Sequence, residues 1–513
     1  MNTVADEKRG SKLKNVLEFL EKSARLYPDK AAFFDLNISL TYKELLESSQ
    51  KIGSALTRLN KRGSPVAIYF DKSPLTVSAM LGVAYSGNFY TVIDSESPAS
   101  RINNIFETLK PICVITDKKY AESAKELSFC GETLLIEDLL NADILQDRLG
   151  EIRALQTDAD ILYALYTSGS TGLPKGAVIS HKSVIAYTKW VSDAFDITDK
   201  TVFANQTPFY FSMSVTDVFS TIRNGASLGI IPKAYFSFPL KLVEFMNNYA
   251  VNTIYWVPSA LSIVANFDVF SVQKPVWLKK VMFAGEVMPV KQLNYWIKNL
   301  PQDVLFANLY GPTETTDICT YYVVNREFDD GDSLPIGTHC DNCAVMIINE
   351  NGEEAKPGEE GELYVKGSFL ANGYYNAPEK TAEAFVQNPL NKSYPETVYK
   401  TGDLVRMNER GELVYITRKD FQIKRMGYRI ELGEIEACAS SMERMKECAC
   451  VYSKEKDLIV LFYSASKTGE EEVASFIRNK LPDYLQPDKC VKISSMPKNQ
   501  NGKTDRLKLS ERI

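Results

Sequence analysis

Four hydroxyl side chains, three glycines and one lysine follow Tyr166 in the run Thr167-Ser168-Gly169-Ser170-Thr171-Gly172-Leu173-Pro174-Lys175-Gly176. Glycine lets backbone N–H groups turn toward an anion with no Cβ in the way. Hydroxyls add donors and the lysine adds a point charge, so the run has the parts of a polyphosphate-holding loop. It is not a Walker A motif, which ends in Gly-Lys-Ser/Thr at a fixed spacing. Counting from Gly169, Pro174 stands where the second glycine would be, and it disfavours immediate entry into a helix. The run therefore argues against a P-loop switch or kinase. The apolar run Ile161 to Leu165 ahead of the loop reads as a buried strand.

Tyr166 to Gly176 resembles the signature loop of the adenylate-forming (AMP-binding) superfamily, which includes acyl-CoA ligases, luciferases and the adenylation domains of nonribosomal peptide synthesis. The resemblance implies that a carboxylic acid and ATP give an acyl adenylate, whose acyl group then passes to a thiol. By it, Thr167, Ser168, Gly169, Ser170, Thr171 and Gly172 bind ATP and Lys175 joins the catalytic set. Tyr310-Gly311-Pro312-Thr313-Glu314 resembles a core block of the family. Adenylation needs Mg²⁺ on ATP, and Mg²⁺ takes one or two carboxylates plus phosphate oxygens. Glu314 is the expected metal ligand and a catalytic residue, Thr313 bonds a phosphate, and Tyr310 stacks on adenine. Asn308 matches the family's adenine-edge contact, and Gly285, Glu286 and Gly311 complete the ATP set.

In Tyr399-Lys400-Thr401-Gly402-Asp403-Leu404, Asp403 is the expected acceptor for a ribose diol, as carboxylates are in dinucleotide sites. By resemblance Arg418 contacts ribose or phosphate, Asp420 is the hinge, and Gly427 faces the thiol tunnel after the small domain rotates. The family usually has glycine where Thr417 stands. Lys503, in Asn501-Gly502-Lys503-Thr504-Asp505-Arg506, would bridge the substrate carboxylate and the α-phosphate while negative charge builds between them. One site serves both half-reactions only if something moves, and a hinge between unequal domains supplies that motion.

The elements that must position these residues follow from pattern. A chain of 513 residues is too long for one core. Val66–Phe70, Cys113–Thr116, Thr253–Pro258, Lys280–Glu286 (ending in a turn) and Asp303–Tyr310 read as strands with helical stretches between them, a parallel α/β pattern. Ligands gather at the carboxyl ends of such strands, here at Gly285-Glu286 and Tyr310–Glu314. A helix is expected from a threonine cap at Thr41. The block from Ala84 to Arg101 reads as scaffold. From about residue 340 short hairpins take over, with turns at Asn351-Gly352 and Arg410-Gly411. Beyond Arg418 the pattern becomes helix-rich, a helix opening at Gly433-Glu434-Ile435-Glu436. The expected fold is α/β. A large N-terminal domain spans 1–417, with a β-rich subdomain at about 340–417. A hinge follows at 418–420, then a small mobile α+β C-terminal domain at 421–513.

A formal net charge of −6 argues against nucleic acid as a partner. The polar start and the lack of a long apolar run predict no membrane span and a cytoplasmic location. Nine cysteines with one Cys340-x-x-Cys343 pair read as free thiols. Two histidines leave little for a Ser-His-Asp site or a histidine metal centre.

Tyr428-Arg429-Ile430-Glu431 and Asn501-Gly502-Lys503 resemble the amino-acid-activating branch, and D-alanine:carrier-protein ligases are similar in build. The expected partner is the phosphopantetheine of a separate carrier protein, loaded by a free-standing enzyme. An acyl- or aryl-CoA ligase using CoA, or a non-catalytic ATP-binding protein, are the alternatives. By resemblance Phe211 is an aromatic gate, and Ser212, Met282, Ala284, Leu309, Asp317 and Ile318 line the acid pocket. In Phe211-Ser212-Met213-Ser214-Val215, Ser212 stands where the family has the aspartate that binds the substrate α-ammonium. A hydroxyl does not compensate a buried ammonium. Asp317 is the acid left to meet an amine placed elsewhere, so the substrate is expected not to be a plain α-amino acid.

Overall fold

The computed structural model describes residues 13–168, 173–419, 422–466, 468–498 and 504–513. The runs Pro65–Tyr69, Phe89–Val92 and Cys113–Thr116 are buried along their whole length, as strands of a parallel sheet covered on both faces must be. They sit in a six-stranded sheet ordered Glu132–Leu135, Cys113–Thr116, Pro65–Tyr69, Phe89–Val92, Ile161–Thr167, Lys175–Ser180. The last two strands are antiparallel, with Thr167 opposite Lys175. The strands on either side of the hydroxyl-rich run are thus paired neighbours. A strand and not a helix follows the run, which agrees with the absence of a Walker A motif.

A nine-stranded sheet carries the other half of the site. Its parallel strands Thr253–Trp256, Lys280–Ala284 and Leu305–Tyr310 end side by side, with Ala284 opposite Leu309. Gly285-Glu286 and Gly311–Glu314 thus leave the same edge. Antiparallel strands Cys343–Ile348, Glu360–Gly367, Phe385–Gln387, Thr397–Met407 and Leu413–Arg418 form a five-stranded sheet. It brings Asp403 opposite Arg418. Helix Tyr42–Leu56 starts at Thr41 in a capping box with Glu44, while Leu40 belongs to the preceding strand.

The expectation of a helix-rich segment beyond Arg418 is corrected. The described residues there form five strands and three α-helices. Leu458–Ala465 is a nearly continuous apolar run at the centre of a three-stranded sheet, antiparallel to Met445–Ser453 and parallel to Lys489–Lys492. Ile430, Ile435, Leu461, Val473, Ile477 and Leu485 form a core of their own, separate from the main one. The fold is a large N-terminal α/β domain with a smaller C-terminal domain. Among the described residues no helix is long and apolar enough to cross a membrane.

His181 gives the large domain a pH dependence. Its Nδ1 accepts the Val16 N–H at 3.3 Å, and the ring is buried. Burial, reinforced by Arg153, pushes its pKa down to about 3. The unfolded chain, with a histidine pKa of about 6.5, binds this proton more tightly. His181 thus contributes its full stability above that value and loses it as pH falls toward the folded one. The loss is about 2–3 kcal/mol between pH 6.5 and 4.5. Thermal melts of the wild type should fall more steeply over that interval than those of His181→Gln, which keeps an acceptor for Val16 but cannot charge.

Candidate active site

Glu314 sits in the single 3-10 turn Thr313–Thr315 after Pro312 and is fully buried. A carboxylate there must be compensated, and three elements supply the means. Arg429, from the strand Tyr428–Glu431 of the small domain, donates through Nη1 to both oxygens at 3.1 and 2.9 Å. The Tyr374 hydroxyl donates to Oε1 at 2.6 Å. Lys175 Nζ lies 3.7 Å from the same oxygen and 3.0 Å from Tyr374 Oη. Burial alone would raise the Glu314 pKa, but Arg429, then Lys175 and Tyr374, outweigh it and hold it at about 2. Burial and the Arg429 charge push Lys175 down to about 8.

At the other end, Asp403 takes the Tyr310 hydroxyl on one oxygen and Arg418 Nη1 on the other, the latter at 2.8 Å. Thr401 Oγ1 fixes the turn by accepting the Asp403 N–H at 3.0 Å. The Lys424 ammonium stands 5.2 Å from the Tyr310 ring centroid. The Asn308 amide donates to the Pro335 carbonyl at 2.8 Å.

One cavity joins these ends. Thr167, Ser168, Gly285, Gly311 and Thr313 line it with Asp403 and Arg418, and Phe211, Ser212, Ala284, Asp317 and Ile318 form another part of its wall. Glu314 and Lys175 stand behind Arg429. Met282 and Leu309 do not line this cavity, contrary to expectation. Both are buried inside their strands, Met282 two residues short of Ala284 and so about 7 Å deeper. Thr167 Oγ1 is buried with no hydrogen-bond partner among the described residues, which suits a group awaiting an anionic ligand. Gly169, Ser170, Thr171, Gly172, Asp420 and Lys503 lie outside the described residues.

The small domain closes the site with the hairpin of Gln422–Arg425 and Tyr428–Glu431. Gly427, at its tip, has φ +80°, and a Cβ there would meet Val257 Cγ1 at 2.7 Å. Glycine is needed at this position on both counts. The Gly427 N–H donates to Glu286 Oε1 at 3.0 Å, and Oε2 of Glu286 accepts the Ser259 N–H at 2.9 Å. Ser168 Oγ donates to the Arg429 carbonyl at 2.5 Å. The Tyr428 ring lies 4.7 Å from Phe211 and stacks on Tyr484 at 3.9 Å. Arg101 and Glu434 form a buried ion pair between the domains. Reading the sequence missed this use of Arg101, and missed Tyr374 and Arg429 as partners of Glu314. Arg429 and Glu314 are 115 residues apart, and no local pattern signals such pairing.

Thr316 has φ 68° and ψ −52°, a strained conformation for a β-branched residue. Its hydroxyl is held by the Phe369 carbonyl at 2.7 Å, and the turn places Asp317 on the cavity wall. Ser212 Oγ and Thr313 Oγ1 lie 3.3 Å apart. Cys319, Cys340 and Cys343 are buried free thiols, and the described residues contain no His/Cys/Asp/Glu cluster able to hold a metal ion.

Comparison with known proteins agrees with this geometry. The model of the AMP-binding enzyme family matches residues 20–375, and that of the AMP-binding enzyme C-terminal domain matches 434–503. Zwittermicin A synthase ZmaJ of Bacillus cereus is 33% identical over 96% of this chain and 94% of its own length. An L-proline--[L-prolyl-carrier protein] ligase of Streptomyces coelicolor is 32% identical over 92% of this chain and 91% of its own. The fold matches that of the Vibrio cholerae adenylation domain AlmE, in complex with glycyl-adenosine-5'-phosphate, at a TM-score of 0.84 and 22% identity. That match covers 97% of each chain. A cleft between unequal domains, a buried carboxylate beside it and these family matches lead to one assignment: the chain belongs to the AMP-binding enzyme family, as an AMP-forming acid–thiol ligase.

Proposed function

We propose that the chain uses ATP with Mg²⁺ to convert an amino acid or related carboxylic acid into its acyl adenylate. It then hands the acyl group to the phosphopantetheine thiol of a separate carrier protein. The observation that carries this reading is the occupancy of Glu314. A buried carboxylate at the phosphate end of the cleft is neutralised by Arg429, which comes from the opposite domain. With the hairpin withdrawn, Glu314 needs another positive partner. One carboxylate completed by phosphate oxygens is the donor set Mg²⁺ prefers, and when bound the ion supplies charge neutralisation to the triphosphate.

In this reading Asp403 receives the ribose hydroxyls and Arg418 a ribose or phosphate oxygen. Tyr310 stacks on adenine, and Thr167, Ser168 and Lys175 hold the phosphates. The acid carboxylate attacks the α-phosphorus beside Lys503 and pyrophosphate leaves. Rotation about Asp420 then withdraws Lys503 and seats the hairpin, with Gly427 on the thiol path. The described arrangement, Gly427 against Glu286 and Tyr428 against Phe211, suits the second half-reaction. The carrier-protein assignment draws on the prolyl-carrier protein ligase among the relatives. Acid-dependent ATP–pyrophosphate exchange, followed by mass-detected loading of a phosphopantetheinylated carrier protein, tests it. Exchange with acylation of free CoA and no carrier loading would move the assignment to a CoA ligase.

A further inference from the structure

Asp317 is a buried carboxylate on the wall of the cavity, exposed by 1%. Its two oxygens are treated unequally. Oδ2 accepts the hydroxyls of Tyr187 at 3.0 Å, Tyr255 at 3.2 Å and Thr216. Oδ1 has no hydrogen-bond partner among the described residues. Burial, opposed by those three hydroxyls, raises the Asp317 pKa to about 6. Three donors crowded on one oxygen brace the carboxyl group from behind and keep it available as an anion near neutral pH. Asp403, the other carboxylate on this wall, is already committed to Arg418 and Tyr310.

Ile318, Met213 and Ala284, which line the same cavity, are apolar and buried. An uncompensated carboxylate among such residues is costly, and a cation delivered to it recovers that cost. The cation whose charge opposes the rise in its pKa is Lys424, on the hairpin. The phosphate end of the wall is marked by Thr313, whose hydroxyl meets that of Ser212. A substrate carboxyl held there has a neutral serine beside its α-carbon. An anion is met only further along, at Asp317.

We infer that Asp317 is the specificity-determining receptor for a primary amine that the acid substrate carries beyond its α-carbon, through an Oδ1···H–N contact. The substrate class is a β-amino, side-chain-amino or amino-aryl acid. This rests on the ligase reading above.

The test is ATP–pyrophosphate exchange with β-alanine, 3-aminobutyrate, 2,3-diaminopropionate and 4-aminobenzoate. Glycine, D-alanine and L-alanine are set against them, with propionate and benzoate as amine-free controls. The wild type is expected to favour at least one of the first four over the plain α-amino acids and over the controls. Asp317→Asn should lower kcat/KM for that acid about 100-fold, chiefly through KM, with the KM for ATP unchanged and the amine-free controls altered less than about threefold. A thermal melt shows whether the variant folds; if it does not, the wild-type panel decides alone. Strongest exchange with D-alanine or another plain α-amino acid overturns the inference, and so does an equal loss for amine-bearing and amine-free acids. No exchange with any acid overturns the ligase reading and the inference with it. Exchange indifferent to the amine overturns the inference alone.

Discussion

Replacing Lys503 with alanine is expected to slow acyl-adenylate formation by about 1,000-fold while changing nucleotide affinity less than about threefold. The asymmetry follows from when the charge matters. The acid carboxylate and the α-phosphate repel each other as they approach, and negative charge concentrates between them in the transition state. An ammonium placed there stabilises that state far more than bound ATP. Residues flanking the Lys503 segment are tied to the small domain: Lys498 pairs with Glu447 and with Thr504, and Arg506 grips Glu436. In the proposed mechanism the cation travels with that domain. Pyrophosphate exchange measures the first quantity and titration with a fluorescent ATP analogue the second. Undiminished exchange in the variant would contradict the role given to Lys503.

The second large effect separates the half-reactions. Arg429→Ala removes the cation that neutralises Glu314 when the hairpin is seated. An unpaired buried carboxylate costs about 3–5 kcal/mol, and Tyr374 and Lys175 remain to offset part of that, so about 3 kcal/mol is expected. Only the hairpin-seated state bears this cost. Transfer of the acyl group from preformed adenylate to a carrier thiol should therefore fall about 100-fold, while pyrophosphate exchange stays within about threefold of wild type. Rapid-quench single turnovers measure the transfer. Equal losses in both half-reactions would show that Arg429 acts outside the seated state.

Much of this site was legible in the sequence because its parts are local. The loop before Lys175 and the turn that carries Glu314 fall at the ends of apolar runs, where open α/β sheets collect ligands, and Asp403 and Arg418 each sit in a short motif, although the pairing of Asp403 with Tyr310, 93 residues away, was not read. What was not legible depends on pairing across long separations. Arg101 looked like scaffold until its partner, Glu434, was placed against it. Tyr374 lies in a connecting segment with no motif, yet donates to Glu314. Met282 was expected on the pocket wall but lies one repeat too deep, because strand alternation fixes a residue's side and not its depth. The strands after residue 445 were read as helix-rich territory, and only their pairing in a sheet resolved them.

In the proposed mechanism one site is served in turn by two faces of the small domain. Hydrogen exchange along 422–431 tests this most directly, taken in the free protein, with Mg²⁺ and a non-hydrolysable ATP analogue, and with a stable acyl-adenylate mimic. The Gly427 amide, bonded to Glu286, should be protected in the free protein, lose protection when the triphosphate analogue is bound, and regain it with the mimic. Protection that stays the same in all three states would contradict the alternation.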